Sequence, residues 1–279
     1  MFADDQKIFF PINSLADCDK LQSDLHRLLD YCRINRLELN VNKCQTITYT
    51  RKRNFISHNY SHNGTTISRV EHVRDLGVMM DSKLLYTCHY DYITQKAYRM
   101  LGFLHRNVKS LKKIASHKIL YFAYVRSIME YASPIWSPSY VTYISQLESI
   151  QRSFTRRLNY VLRRKDEYED RLTYFGLLTL EDRRKKADMK LLFDVANSAI
   201  DCSLLTGRIG VWASTAHTRS RRLLDVGQPR TNYGRHSVLH RIVNLYEKKF
   251  KDIDIFFFSR NKFINSVIEH MSQAENDAH

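Results

Sequence analysis

Two adjacent carboxylates, Asp4 and Asp5, stand between the short aromatic runs Phe2-Ala3 and Ile8-Phe9-Phe10. Acidic residues favour turns and these flanks favour strands, so the segment reads as strand–turn–strand with the acidic pair at the turn. Such a pair can hold a divalent cation at the edge of a sheet. Mg2+ takes hard oxygen ligands, usually one or two carboxylates plus substrate phosphates. Two such ions roughly 3.5–4 Å apart can clamp both oxygens of an in-line phosphoryl displacement. Ordinary solvated turns carry the same dipeptide, so its context has to decide. His58 and His62 stand four apart in a segment without helical periodicity and do not read as metal ligands. The five cysteines (18, 32, 44, 88 and 202) are scattered with no CxxC spacing. They indicate neither a zinc site nor a disulfide framework, and they suit a reducing compartment.

The other chemistry that the residues suggest is phosphate binding. The 279 residues hold 44 Lys+Arg against 29 Asp+Glu, a formal net charge of +15. Residues 1–50 carry 6 basic and 7 acidic side chains and residues 251–279 carry 3 and 5, whereas residues 51–250 carry 35 and 17. One long basic block implies a polyanionic partner, with a solvated surface as the alternative. The best phosphate-contact candidates are Arg152, Arg156, Arg157, Arg163 and Arg164, and Arg219, Arg221 and Arg222 with Arg230 and Arg235 in the Ser/Thr/Gly/Asn-rich stretch 213–237. Trp136, Tyr140 and Tyr143 could stack bases or could pack against helix ends.

The elements that must position these residues are mainly helices. Only 8 Gly and 4 Pro argue against a turn-rich sandwich or barrel. Asn13 or Ser14 caps a first helix, whose stripe Cys18, Leu21, Leu25, Leu28 and Cys32 ends near Arg36. Short strands are expected at Thr46–Thr50, Phe55–Tyr60, Thr65–Ile67 and Leu76–Met80, with Asn63-Gly64 as a hairpin turn. From Tyr86 onward the pattern is helical. One stripe is Tyr90, Ile93, Ala97, Leu101 and Leu104, and another is Ile144, Leu147, Ile150, Phe154 and Leu158. Between them Ile119–Val125 is apolar nearly all round, so that helix is expected to be buried and to end at Pro134. A helix over Leu180–Ile200 is expected to be laced by Glu181–Lys185 and Asp182–Lys186. Further helices follow at about Val238–Phe250 and Lys262–Met271. No apolar run approaches the roughly 20 residues of a membrane span, and Met1–Lys7 does not read as a signal peptide.

Five blocks in order give the acidic pair its context. Phe2-Ala3-Asp4-Asp5 resembles the FADD/YADD box of reverse transcriptases. Leu39-Asn40, Lys43-Cys44 and Ile47–Thr50 resemble the segment that follows this box in non-LTR retrotransposon polymerases of the jockey-like type. Val73–Asp81, with Leu76-Gly77-Val78, resembles their primer grip. Leu120-Tyr121 through Val125–Trp136 and Pro138 resembles the thumb signature, and Leu147–Arg157 its continuation. The likeness covers roughly residues 1–160 and is looser beyond Leu180. It implies an α+β, mostly helical chain: a partial palm at 1–82, a helical thumb at 83–162, and a helical C-terminal region with an Arg-rich loop at 163–279. It also implies an RNA-directed DNA polymerase working by two-metal nucleotidyl transfer on an RNA template, a DNA primer and deoxynucleotides. Asp4 and Asp5 would hold Mg2+, Lys43 would lie near the nucleotide phosphates, and Leu76-Gly77 would place the primer end. The family's first metal-binding Asp and its fingers have no matching residues. The expectation is therefore a C-terminal, truncated fragment that is inactive by itself, nuclear if functional. Arg126 and Glu130 are expected to be a structural helix pair. The alternative function is a non-catalytic basic helical module that binds nucleic acid.

Overall fold

A computed structural model describes residues 6–108, 111, 113–211, 223–229 and 231–276. Asp4, Asp5, Arg219, Arg221, Arg222 and Arg230 lie outside the described residues. The protein is mostly helical with a few short strands, an α+β chain. It divides into two compact units, Met1–His89 and Tyr90–His279.

In the first unit, Ser14 caps α1 (Leu15–Ile34). Its hydroxyl accepts the Asp17 N–H at 3.3 Å, and the Asp17 carboxylate accepts the Ser14 N–H at 2.9 Å, a reciprocal capping box. Cys18 and Cys32 are the buried ends of the apolar stripe, with Leu21, Leu25 and Leu28 half-buried between them. A 3-10 turn at Val41–Lys43 leads to β1 (Gln45–Thr46). The strand expected to run on to Thr50 stops at Thr46, where its parallel ladder with the short β4 (Ser68–Arg69) runs out. Between them β2 (Ser61–His62) and β3 (Thr65–Thr66) form the hairpin that Asn63-Gly64 announces, with φ of 45° and 78°. Phe55–Tyr60 is not a strand. Gln22 of α1 anchors the hairpin by accepting the Ser61 N–H at 3.0 Å and donating to the Ser61 carbonyl at 2.9 Å.

Strands β5 (His72–Asp75) and β6 (Val78–Asp81) pair antiparallel, with Asp75 opposite Val78. Leu76 and Gly77, expected inside a strand, are instead its turn, with φ of 43° and 85°. Two positive φ values match the right-handed twist of the flanking strands. Gly adopts them freely, whereas Leu is held there against its preference. Asp81 then accepts three backbone N–H groups, from Lys83 (2.9 Å), Leu85 (2.8 Å) and Tyr86 (2.7 Å). This cluster orders the loop that leads into α2 (Thr87–Asn107).

His89, 2% exposed in the first turn of that helix, accepts the Met79 N–H through Nδ1 at 3.2 Å. Burial disfavours the imidazolium and pushes the pKa of His89 from 6.5 down to about 4. The unfolded chain therefore binds a proton near pH 6.5 that the folded chain refuses until about pH 4, and stability falls as pH drops through that window. On this account the unit loses up to about 3 kcal/mol between pH 7 and pH 4. Denaturant titrations of His89→Gln should show that dependence flattened; an unchanged pH slope would refute the assignment.

The second unit takes α2 from Tyr90 onward. Tyr90, Ile93, Ala97, Leu101 and Leu104 are all buried, as their spacing implies. Helix α3 (Ile114–Tyr121) runs through a π turn at Phe122–Arg126 into α4 (Ser127–Glu130). Although this stretch is apolar nearly all round, only Tyr121 and Val125 of 119–125 are buried; Ile119 is 64% and Tyr124 52% exposed. One face stacks on α6 (Val141–Val161) through Tyr121 and Phe154, at a 4.0 Å centroid distance, while the other is left open. Pro134 does not end this helix. The chain breaks at Ala132 (φ 52°), and Pro134 occupies the first turn of α5 (Ser133–Trp136), where a missing N–H costs nothing.

After α6 come α7 (Tyr168–Phe175), closed by Gly176 at φ 60°, and α8 (Leu180–Ala196). Then follow α9 (Ser203–Thr206), the pair β7 (Gly210–Val211) and β8 (Leu224–Asp225), α10 (Asn232–Arg235), α11 (Val238–Leu245) with a π turn at Tyr246–Phe250, and α12 (Arg260–Asn276). Helix α8 packs against α5 and α6 and also against α11 and α12. Met189, Leu192 and Phe193 join Ile242, Tyr246, Phe250, Phe263 and Val267 in one core. Residues 90–162 and 163–279 thus lie in a single compact unit.

Candidate nucleic-acid interface

Helix α6 has two unlike faces. Leu147, Ile150, Phe154 and Leu158 are buried on one side, while Arg152, Arg156 and Arg157 are exposed. The helix closes with paired bonds: the Arg163 N–H reaches the Tyr160 carbonyl at 3.1 Å and the Arg164 N–H the Asn159 carbonyl at 3.0 Å. This double bond pattern requires a left-handed residue, and Arg163 supplies it at φ 56°. The turn sets Arg163, Arg164 and Lys165 on the surface directly after the helical arginines. Arg152 lies over the Tyr168 ring at 4.7 Å, and Arg164 lies over the Tyr174 ring at 4.0 Å beside Asp166. Arg156, Arg157 and Arg163 form no ion pair among the described residues. Arg157 adds to the burial that lowers the pKa of His105. The five arginines singled out between 152 and 164 are therefore all exposed, a cationic strip in sequence with three members on α6 and two on the turn that ends it.

Buried polar residues hold that strip in place. Gln151 donates to the Leu178 carbonyl at 2.9 Å and accepts from Tyr121 Oη at 3.1 Å. Glu148 accepts the Tyr168 hydroxyl and, at 3.0 Å, the N–H of Leu180, the first residue of α8. A carboxylate at a helix N-terminus is favoured by the helix dipole. Burial nevertheless pushes the Glu148 carboxyl up, opposed by Tyr168, Arg184 and Arg152. Arg184 is 2% exposed, and its terminal nitrogens meet no hydrogen-bond acceptor among the described residues. The fields of Glu148, Glu181 and Asp188 offset part of the burial that lowers its pKa. Asp188, also buried, takes a two-pronged contact from Arg241 at 2.9 and 3.0 Å. Nothing in the local spacing announces these charges as internal.

A second cationic group comes from helices read chiefly for their packing. Glu130 pairs with Arg126 at 3.4 Å, as the spacing implies, and also with Arg183 of α8. Lys185 takes both Glu181 (2.9 Å) and Asp182 (2.8 Å), so the expected Asp182–Lys186 pair does not form. Lys186 is left in the field of Arg183, Arg126 and Lys190, and burial together with these charges lowers its pKa.

The other candidates are placed less informatively. Lys43 is exposed at the end of its 3-10 turn, and Leu76-Gly77 forms the tip of the β5–β6 hairpin. Trp136 is buried, with its indole N–H on the Tyr131 carbonyl at 2.8 Å. Tyr143 packs on Tyr90 at 4.6 Å, while Tyr140 is exposed. His58 meets the edge of Tyr60 at 4.9 Å. Among the described residues no group of three or more His, Cys, Asp and Glu side chains is placed to hold a metal ion. No helix among the described residues is long and apolar enough to cross a membrane. No family model, no curated protein and no solved structure matches the chain.

Proposed function

We propose that this chain binds nucleic acid through phosphate contacts of its second unit, as the thumb-bearing part of a non-LTR retrotransposon reverse transcriptase. The single observation behind the binding is the set of exposed arginines Arg152, Arg156 and Arg157, on a helix whose other face is buried, with Arg163 and Arg164 on the turn that closes it. Guanidiniums on a rigid support engage phosphate oxygens bidentately and read no sequence. The polymerase assignment is supported by the five ordered sequence blocks. In the whole enzyme Asp4 and Asp5 would carry Mg2+, and Lys43 and Leu76-Gly77 would serve nucleotide and primer. A non-catalytic basic module is the second reading, supported by the same strip without the acidic pair.

Binding should be nearly independent of sequence and should weaken steeply with salt, because each neutralised phosphate releases counterions. The slope of log affinity against log salt should be about −0.9 per contact on duplex and about −0.7 on single strands. Fluorescence anisotropy with labelled duplex and single-stranded probes from 50 to 200 mM salt measures it. Salt-insensitive binding, or none, would remove the proposal. Mg2+-dependent primer extension that is lost in Asp4→Ala would separate the polymerase reading from the module.

A further inference from the structure

Next to the cationic strip, α3, its π turn and α7 enclose an open recess of about 400 Å3. Ile114, Lys118, Ile119, Phe122, Tyr174 and Phe175 line it, with Ala115. Its wall is the face of α3 that the fold leaves uncovered. Three observations bear on what covers it. The recess carries one cation, Lys118, and no carboxylate. Two of the aromatic rings lining it each hold a guanidinium over one face: Arg126 over Phe122 at 3.5 Å and Arg164 over Tyr174 at 4.0 Å. Arg164 also belongs to the strip, so Tyr174 joins the strip to the recess. Aromatic walls edged by cations suit planar, electron-rich rings on an anionic backbone, because every base offers a face to stack. π turns recur at functional sites, and this one carries Phe122.

We propose that the recess takes an unpaired nucleobase of a single strand whose phosphates lie on the Arg152–Arg164 strip. The inference rests on the nucleic-acid reading above and adds base stacking to it. Paired bases are closed to such a recess, so the site favours single-stranded or frayed nucleic acid over duplex.

The test compares a single-stranded oligonucleotide of about 12 residues, within the usual site size of such grooves, with a fully abasic strand of equal length and charge. Wild-type protein should bind the intact strand on the order of tenfold more tightly. Tyr174→Ala and Ile119→Ser, both exposed in the protein, should bring that ratio close to one; Ile119→Ser, which lies on a different helix from the strip arginines, should also leave duplex affinity unchanged. Tyr174→Phe should keep the ratio. Matching melting temperatures confirm folding, and should Tyr174→Ala unfold, Ile119→Ser still decides. A wild-type ratio near one with both strands bound overturns the recess and spares the strip. So does a ratio that neither variant alters. Self-association lost in Ile119→Ser assigns the face to a second copy and overturns it too. Failure of wild-type protein to bind either strand defeats the nucleic-acid reading itself.

Discussion

Replacing Arg152, Arg156 and Arg157 together by Gln should weaken binding to duplex and single strands alike by roughly 10- to 100-fold near physiological salt. It should also flatten the salt slope by about 2 to 3 on duplex, close to one per lost phosphate contact. All three side chains are exposed, and Arg156 and Arg157 form no ion pair among the described residues. Removal of Arg156 and Arg157 therefore leaves no buried partner orphaned, while Gln at 152 gives up the stack on Tyr168 and part of the field on Glu148, so the total cost in folding stability should be about 1 kcal/mol. Gln is as good a helix former as Arg, so α6 keeps its length. Arg152 differs from the other two because it lies over Tyr168. Lys at that position restores charge without the planar stack, so Arg152→Lys should recover the salt slope and only part of the affinity. Unchanged affinity in the triple variant would show that the strip is only a solvated face.

Asp188→Ala should be the most damaging single substitution in the second unit. Its carboxylate is 3% exposed and holds Arg241 at two points, and Arg241 in turn reaches back to the Pro134 carbonyl. Removing one partner of a buried pair leaves the other charge uncompensated, at a cost of about 3–5 kcal/mol. For a unit of this size that lowers Tm by roughly 10 °C. Burial raises the Asp188 carboxyl even though Arg241 and Arg184 pull it down, so the pair only partly offsets its own desolvation. The double change Asp188→Leu with Arg241→Met should therefore be much less harmful than either single change. Equal losses in the double and single variants would show that packing, rather than charge, holds α8 to α11.

Several local signals of the sequence appear in the structure, whereas the strand expected at Phe55–Tyr60 and the helix end expected at Pro134 do not. The stripes of α1, α2 and α6, the Ser14 cap and the Asn63-Gly64 turn appear as their spacing implies. Exposure of Arg152, Arg156 and Arg157 follows from the same periodicity, since they fall off the apolar stripe of α6, whereas Arg163 and Arg164 are exposed by the turn that closes it. What stayed hidden depended on partners far along the chain. Glu148 is internal because it meets the N–H of Leu180, and Asp188 because it meets Arg241, 53 positions away. Helix α7 was obscured by the charged run Arg163–Glu167 before it, although Gly176 marked its end. Ile119–Val125 reads as buried on composition alone, yet only one of its faces finds a neighbour. Which polar groups go inside and which apolar faces stay open is settled by the packing of α6, α7 and α8 in three dimensions, because burial is a property of the assembled helices, whereas periodicity and capping belong to a few consecutive residues.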